Sequence, residues 1–188
     1  MKKAQAKRTR RRPAGTAATD VSGPKSPALP SEGSQIVFMN RQRKRRLNLS
    51  LLRTIAVAAL GELPGIAEWD LAFYFVGEKS MAALNEAQLE HSGPTDVITF
   101  DYGEGEALGR KRLLHGEIFV CIDVALEQAR EYGTTWQSEV VRYLVHGLLH
   151  LYGHDDLAPV PRRAMKQVEN RLVRTLERRF AFTGLGRV

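Results

Sequence analysis

The sequence predicts an α+β protein: a small layered domain with a mixed four-stranded sheet packed by helices. Three observations carry the fold. Four short segments rich in β-branched and aromatic residues read as strands. Five longer segments set apolar residues at helical spacing. The two kinds intermix without a strict strand–helix–strand rhythm, which argues against a doubly wound parallel sheet.

Taken in order, "QIVFM" (35–39) reads as the first strand. In "LSLLRTIAVAALGEL" (49–63), Leu52, Ile55, Ala56, Ala59, Leu60 and Leu63 fall at helical spacing, with Ser50 as a candidate N-cap and Gly61 marking the end. "DLAFYFVG" (70–77) is a strand, and "EKSMAALNEAQ" (78–88) a short helix. "TDVITFDY" (95–102) and "HGEIFVCID" (115–123) are two further strands, with the charged, Gly-rich "GEGEALGRKR" (103–112) between them as a loop. "VALEQAREYG" (124–133) is a helix stopped by Gly133. "TWQSEVVRYLVHGLLHLYG" (135–153) is a long apolar helix. "APVPRR" (158–163) breaks the chain, and "RRAMKQVENRLVRTLERRF" (162–180) forms a last amphipathic helix.

The 188 residues are 43% apolar, enough for one domain with a core plus a tail. No apolar run approaches the roughly 18 residues of a membrane span, and no apolar h-region follows the charged N-terminus, so neither a membrane protein nor a secretory signal is expected. The one cysteine, Cys121, lies in a strand-like run and is read as a buried structural thiol, in keeping with a reducing compartment. Residues 1–34 hold eight Lys/Arg against Asp20 and Glu32, a net +6, while the remainder holds twenty against nineteen acids, a net +1. They lack apolar periodicity and are expected to form a disordered basic tail ahead of a domain at 35–188. An organellar transit peptide is the alternative for that tail. With "RQRKRR" at 41–46, this charge suits an anionic partner, nucleic acid first; a solvated, solubilising surface is the plainer reading.

"LVHGLLHLYGHDD" (144–156) carries three of the five histidines. His146 and His150 stand four apart, which puts both rings on one helix face, within reach of one ion. Gly153 suits a helix end in the left-handed conformation, after which the chain can return a further ligand: His154, Asp155 or Asp156. A lone histidine on an apolar helix is usually a satisfied core residue. Two at this spacing, followed by glycine and more ligand-type side chains, form a more specific pattern, and zinc accepts imidazole nitrogen and carboxylate oxygen alike. The pattern echoes the zinc proteases, but Gly147 fills the place of their glutamate base and offers no proton acceptor.

"HGLLHLYGHDD" resembles the signature of the YbeY family of ribosomal RNA maturation endoribonucleases. "LNEAQLEHSGPTDVITFDY" (84–102), "GEIFVCIDVALEQA" (116–129) and "MKQVEN" (165–170) are similar to further family segments in the same order, so the resemblance covers about residues 35–180. It implies a cytoplasmic, zinc-dependent endoribonuclease specific for single-stranded RNA, with one zinc per chain. It implies ribosomal RNA and the small ribosomal subunit as partners, and a role in small-subunit rRNA 3′ end maturation and ribosome biogenesis. The implied ligands are His146, His150 and Asp156, the last because it keeps the family's register after Gly153; His154 is the alternative third ligand. Two positions depart from the family: aspartate replaces its usual third histidine, and Leu89 replaces an arginine tied to activity. His91 and Arg142 are the candidates to take that arginine's catalytic role. A non-catalytic, zinc-stabilised ribosome-assembly factor is the competing function, and oligomeric state has no signature here.

Other polar residues have plainer readings. Thr95 and Asp96 suit a turn ahead of a strand, or a bond from Asp96 to a metal-bound imidazole. His91 suits a loop as well as it suits a catalytic helper, and His115 is read as structural. Arg142, one turn before His146, faces phosphate or solvent. Glu139 and Glu169 are read as helix-surface partners of Lys or Arg.

Overall fold

The structure is a computed structural model that describes residues 33–89, 93–103, 107–108 and 111–186. Nearly all of the expected tail and His91 lie outside the described residues. The strands are β1 (Gln35–Asn40), β2 (Ile66–Val76), β3 (Val97–Asp101), β4 (Ala107–Leu108) and β5 (Lys111–Cys121). The helices are α1 (Leu49–Gly61), α2 (Glu78–Leu89), α3 (Ile122–Tyr132), α4 (Trp136–Leu151) and α5 (Pro159–Arg179), followed by a 3₁₀ turn at Phe182–Leu185.

The sheet runs in the order β1-β2-β5-β3 and is mixed, as expected. β1 pairs β2 and β2 pairs β5 in parallel, while β3 pairs β5 antiparallel. A parallel neighbour needs a crossover, and α1 supplies it between β1 and β2. The odd-numbered residues of β2, Trp69 to Phe75, point into one core. They meet Leu52, Ile55 and Ala59 of α1, Leu144 and Leu148 of α4, and Leu172 and Leu176 of α5 there. On the other face Met81 of α2 packs with Val76, Ile98 and Cys121. Cys121 is fully buried as expected, and burial pushes its thiol up to about 11.

Three local expectations change. The segment 103–112 is not all loop: Ala107 and Leu108 pair with Arg112 and Lys111, so β5 begins before His115. Asn48, not Ser50, caps α1, its side chain accepting from Leu51 N at 3.0 Å. "APVPRR" starts α5 rather than interrupting the chain, because Pro159 occupies the first helical position, where a missing N–H costs nothing.

α4 is the central helix, and two glycines let it lie close on β5. A Cβ on Gly147 would stand 2.6 Å from Ile118 Cγ2, and one on Gly116 would stand 2.7 Å from Leu151 Cδ2. Gly147 and Leu151 are one helical turn apart, and Gly116 and Ile118 share one sheet face. Each glycine therefore receives a side chain from the other element. The close fit fixes the roll of α4 and so the direction of His146 and His150, each one residue ahead of a contact.

Candidate metal centre

α4 opens at Thr135, whose side chain accepts from Ser138 N at 3.2 Å. It closes in a Schellman arrangement: Gly153, at φ 102°, donates to His150 O at 2.9 Å, and His154 N donates to Leu149 O at 2.9 Å. The left-handed glycine reverses the chain and brings Asp156 back over the last turn. Arg162 of α5 holds this returning loop, its Nε donating to Asp156 O at 2.8 Å. Asp155 turns the chain locally by accepting from Leu157 N at 3.0 Å.

His146, His150 and Asp156 come together as the expected cluster, all three ligand atoms lying within 4.8 Å of one another. Both histidines are buried, and the Asp156 side chain is only 13% exposed. The Nε2 atoms stand 3.1 Å apart, and the Asp156 oxygens lie 3.8 Å from His146 Nε2 and 3.9 Å from His150 Nε2. Metal–ligand bonds of 2.0–2.2 Å around a tetrahedral zinc separate the ligand atoms by about 3.4 Å. The three spacings thus bracket that value.

The tautomers agree with a cation. His146 Nδ1 lies 2.8 Å from Glu169 Oε2, and His150 Nδ1 lies 3.2 Å from His154 O. Both partners accept, so both Nδ1 atoms carry the hydrogen, and in neutral rings the Nε2 lone pairs face each other. Two facing lone pairs beside a carboxylate repel unless a positive charge sits among them. The donor set, two imidazole nitrogens and one carboxylate oxygen, fits a metal ion of the zinc type.

Glu169 is buried at 2% exposure, contrary to its reading as a helix-surface residue, and Glu139 is buried at 5%. Glu139 accepts from Thr134 Oγ1 at 2.7 Å near the start of α4. Glu169 accepts from His146 and also from Arg142 Nη1 at 2.7 Å and Lys166 Nζ at 2.8 Å. Burial alone would raise the Glu169 carboxyl, but the His146 hydrogen bond and the Lys166 charge outweigh it and hold the group well below its ordinary 4.5. Arg142 meets neither the phosphate nor the open solvent considered from sequence alone: it grips Glu169 and Asn170 Oδ1, the latter at 2.8 Å, and lies 3.8 Å from Glu139. The sequence reading missed this support for His146. The local signal for it was slight, since Glu169 differs from a surface glutamate only in lying among the apolar positions of its helix.

The His154 ring stacks on Tyr152 with centroids 5.9 Å apart, while its backbone serves both the helix end and His150. Asp96 Oδ1 accepts from Thr95 Oγ1 at 3.0 Å and from Val97 N at 3.1 Å, the turn-forming role. His115 lies on β5, 3.8 Å from Asp70 and edge-on to Tyr102. Leu89 ends α2.

The fold and this cluster define a small α+β protein with a helix-borne, two-histidine, one-carboxylate site able to hold a metal ion. The family profile described as Endoribonuclease YbeY matches residues 37–177. A relative of that name from Chlorobium luteolum is 32% identical over 144 residues, 77% of this chain and 99% of the relative. Another from Elusimicrobium minutum is 39% identical over 124 residues, 66% of this chain and 85% of the relative. The solution structure of a Thermotoga maritima protein matches with a TM-score of 0.53 at 26% identity, over 76% of this chain and 89% of that one. The chain belongs to the Endoribonuclease YbeY family. No helix among the described residues is long and apolar enough to cross a membrane.

Proposed function

We propose that this protein is a zinc-dependent endoribonuclease that cuts single-stranded RNA. We place it in ribosomal RNA processing, at the 3′ end of the small-subunit RNA, acting in the cytoplasm with the small ribosomal subunit as partner. Residues 1–34 are then a separate basic arm; if they are a transit peptide, the place of action is an organelle. The observation that carries the reading is the convergence of the His146 and His150 Nε2 lone pairs with the Asp156 carboxylate. Family membership supplies the reaction class. His146, His150 and Asp156 would hold the zinc with three protein ligands, the number typical of catalytic rather than structural zinc.

Zinc held there supplies a Lewis acid for a phosphoryl oxygen and for an attacking water. The chain's own groups prepare the site. Glu169 and the His154 carbonyl each hold a histidine by its Nδ1–H and so direct both Nε2 lone pairs inward. Arg142 and Lys166 neutralise Glu169, which keeps its negative charge from dominating the neighbourhood of an anionic substrate. Gly147 leaves no room for the protease glutamate, because even its Cβ would strike Ile118. The amide leaving group of a peptide normally needs a proton delivered by such a base, whereas a phosphodiester can react by charge neutralisation and an oriented nucleophile. His91 remains the candidate to stand in for the family arginine that Leu89 replaces.

The test is purified protein with labelled single-stranded RNA, including a ribosomal precursor, and with casein, with and without chelator. Metal content of about one zinc per chain and chelator-sensitive RNA cleavage, lost in His146→Ala, are expected. Casein cleavage overturns the reading. Metal-replete protein that leaves every RNA intact replaces it with the non-catalytic assembly factor.

A further inference from the structure

The positive charge of the folded part is concentrated in two places, the short basic run at 41–46 and one helix, α5. α5 holds Arg162, Arg163, Lys166, Arg171, Arg174, Arg178 and Arg179 against Glu169 and Glu177, so seven cations face two acids, a net +5. Residues 35–188 carry only +1 together, which leaves the rest of that part at net −4. Glu169 is buried and already occupied by His146, Arg142 and Lys166.

Arg163, Gln167, Asn170, Arg171, Arg174 and Arg178 recur at three- and four-residue spacing, so they form one stripe along α5. The four arginines are exposed. Among the described residues Arg163, Arg171, Arg174 and Arg178 form no ion pair, and Glu177 lies beside the stripe rather than within it. Gln167, Asn170, Arg171, Arg174 and Arg178 line an open groove of about 360 Å³. From Arg163 to Arg178 the stripe spans about 22 Å at 1.5 Å per residue. Its beginning adjoins the metal centre, because the neighbouring Arg162 holds the loop that carries Asp156.

We propose that this stripe is a track for the phosphate backbone of single-stranded RNA, which holds the substrate outside the bond being cut. The proposal rests on the endoribonuclease reading for its substrate class and goes beyond it in naming the surface. A row of guanidinium groups without carboxylate partners offers phosphates forked donors and releases their counterions on contact. Hydrogen-bonding Gln167 and Asn170 between the arginines suit sugar and phosphate oxygens, contacts that hold RNA without reading its sequence.

The experiment compares the full chain, R171Q/R174Q, and K79Q/R130Q, which removes two exposed cations elsewhere. RNA affinity is measured against salt concentration in chelator, so that no cleavage intervenes. Each phosphate contact to a single strand contributes about 0.7 to the slope of log affinity against log salt, so R171Q/R174Q lowers the slope by about 1.4. K79Q/R130Q leaves it unchanged, and melting temperatures confirm that all three are folded. With metal restored, R171Q/R174Q raises KM for a long RNA and leaves trinucleotide cleavage as it was. Equal slopes for the two double variants overturn the track, even if the protein cleaves RNA. A slope lost only in R171Q/R174Q by a protein that cleaves nothing keeps the track and removes the endoribonuclease reading instead.

Discussion

α4 and α5 build the candidate metal centre together, but they contribute in different ways. α4 supplies two candidate ligands from one local pattern, histidines one turn apart, and its glycine end returns the third. α5 supplies no ligand, yet it holds two of them: Glu169 fixes the His146 ring and Arg162 fixes the Asp156 loop. The first contribution is written in spacing. The second exists only once the helices pack. Ligands should therefore be indispensable to metal binding and their holders graded in effect.

The largest effect belongs to α4 and its return loop. His150→Ala and Asp156→Ala, purified without added zinc, are expected to lose the metal, because each leaves two donors where three are needed for a tight site. Metal analysis of the purified chains checks this. Full occupancy in both variants would remove the cluster from metal binding, and with it the main support for the proposed chemistry.

Glu169→Gln comes next. The amide still offers an oxygen to His146 Nδ1–H but not the charge that raises the basicity of the ring. Losing such a partner typically weakens metal affinity about 10–100-fold, which competition with a chelator can measure. The same substitution alters the acid limb of stability in the metal-free protein. Glu169 is held below its ordinary 4.5, so its charged form contributes stability above that pH, and the contribution fades as pH falls towards the folded-state value. Between pH 6 and 3, about the range over which ordinary carboxyls titrate, the melting temperature of Glu169→Gln should fall less steeply than that of the parent. Parallel curves would show that the carboxylate contributes no such charge-dependent stability.

The two helices also show how far the sequence could be read. The sheet, its mixed character and the helices are carried by local periodicity, which is why five helices and the four principal strands fall close to the expected places. The clustering of His146, His150 and Asp156 was legible because the first two share one helix face and the third follows a glycine turn. Glu169 was not legible, since 23 residues separate it from His146 and only packing tells a buried glutamate from an exposed one. Pro159 was misread for a related reason: the same proline breaks a helix in its middle and begins one at its first position. The short strand β4 stayed hidden because two residues carry no period.

Gly147 sharpens the comparison within α4 itself. Besides leaving the place of a protease base empty, it makes the contact with Ile118 possible. Gly147→Ala adds a methyl group where a Cβ would stand 2.6 Å from Ile118 Cγ2, so the helix must shift. Overpacking of this kind costs about 1–3 kcal/mol, offset in part by the better helix propensity of alanine. Denaturant unfolding of the chelated protein measures the stability loss, and a titration measures any accompanying loss of zinc affinity. A variant as stable as its parent would show that the roll of α4 is set elsewhere.

The smallest effect is expected at His154, the alternative third ligand. Its ring lies against Tyr152, while its backbone N–H closes the helix and its carbonyl orients His150. Alanine keeps both backbone groups, so His154→Ala should retain the metal and change zinc affinity by less than Glu169→Gln does. The stacking contact it loses is worth about 0.5–1.5 kcal/mol for an aromatic pair. Proline at the same position removes the N–H that bonds Leu149 O and is expected to disturb the helix end more than alanine does. If His154→Ala loses the metal while Asp156→Ala keeps it, the third ligand is the histidine. The return loop would then have to turn the His154 ring off Tyr152 and onto the Nε2 pair.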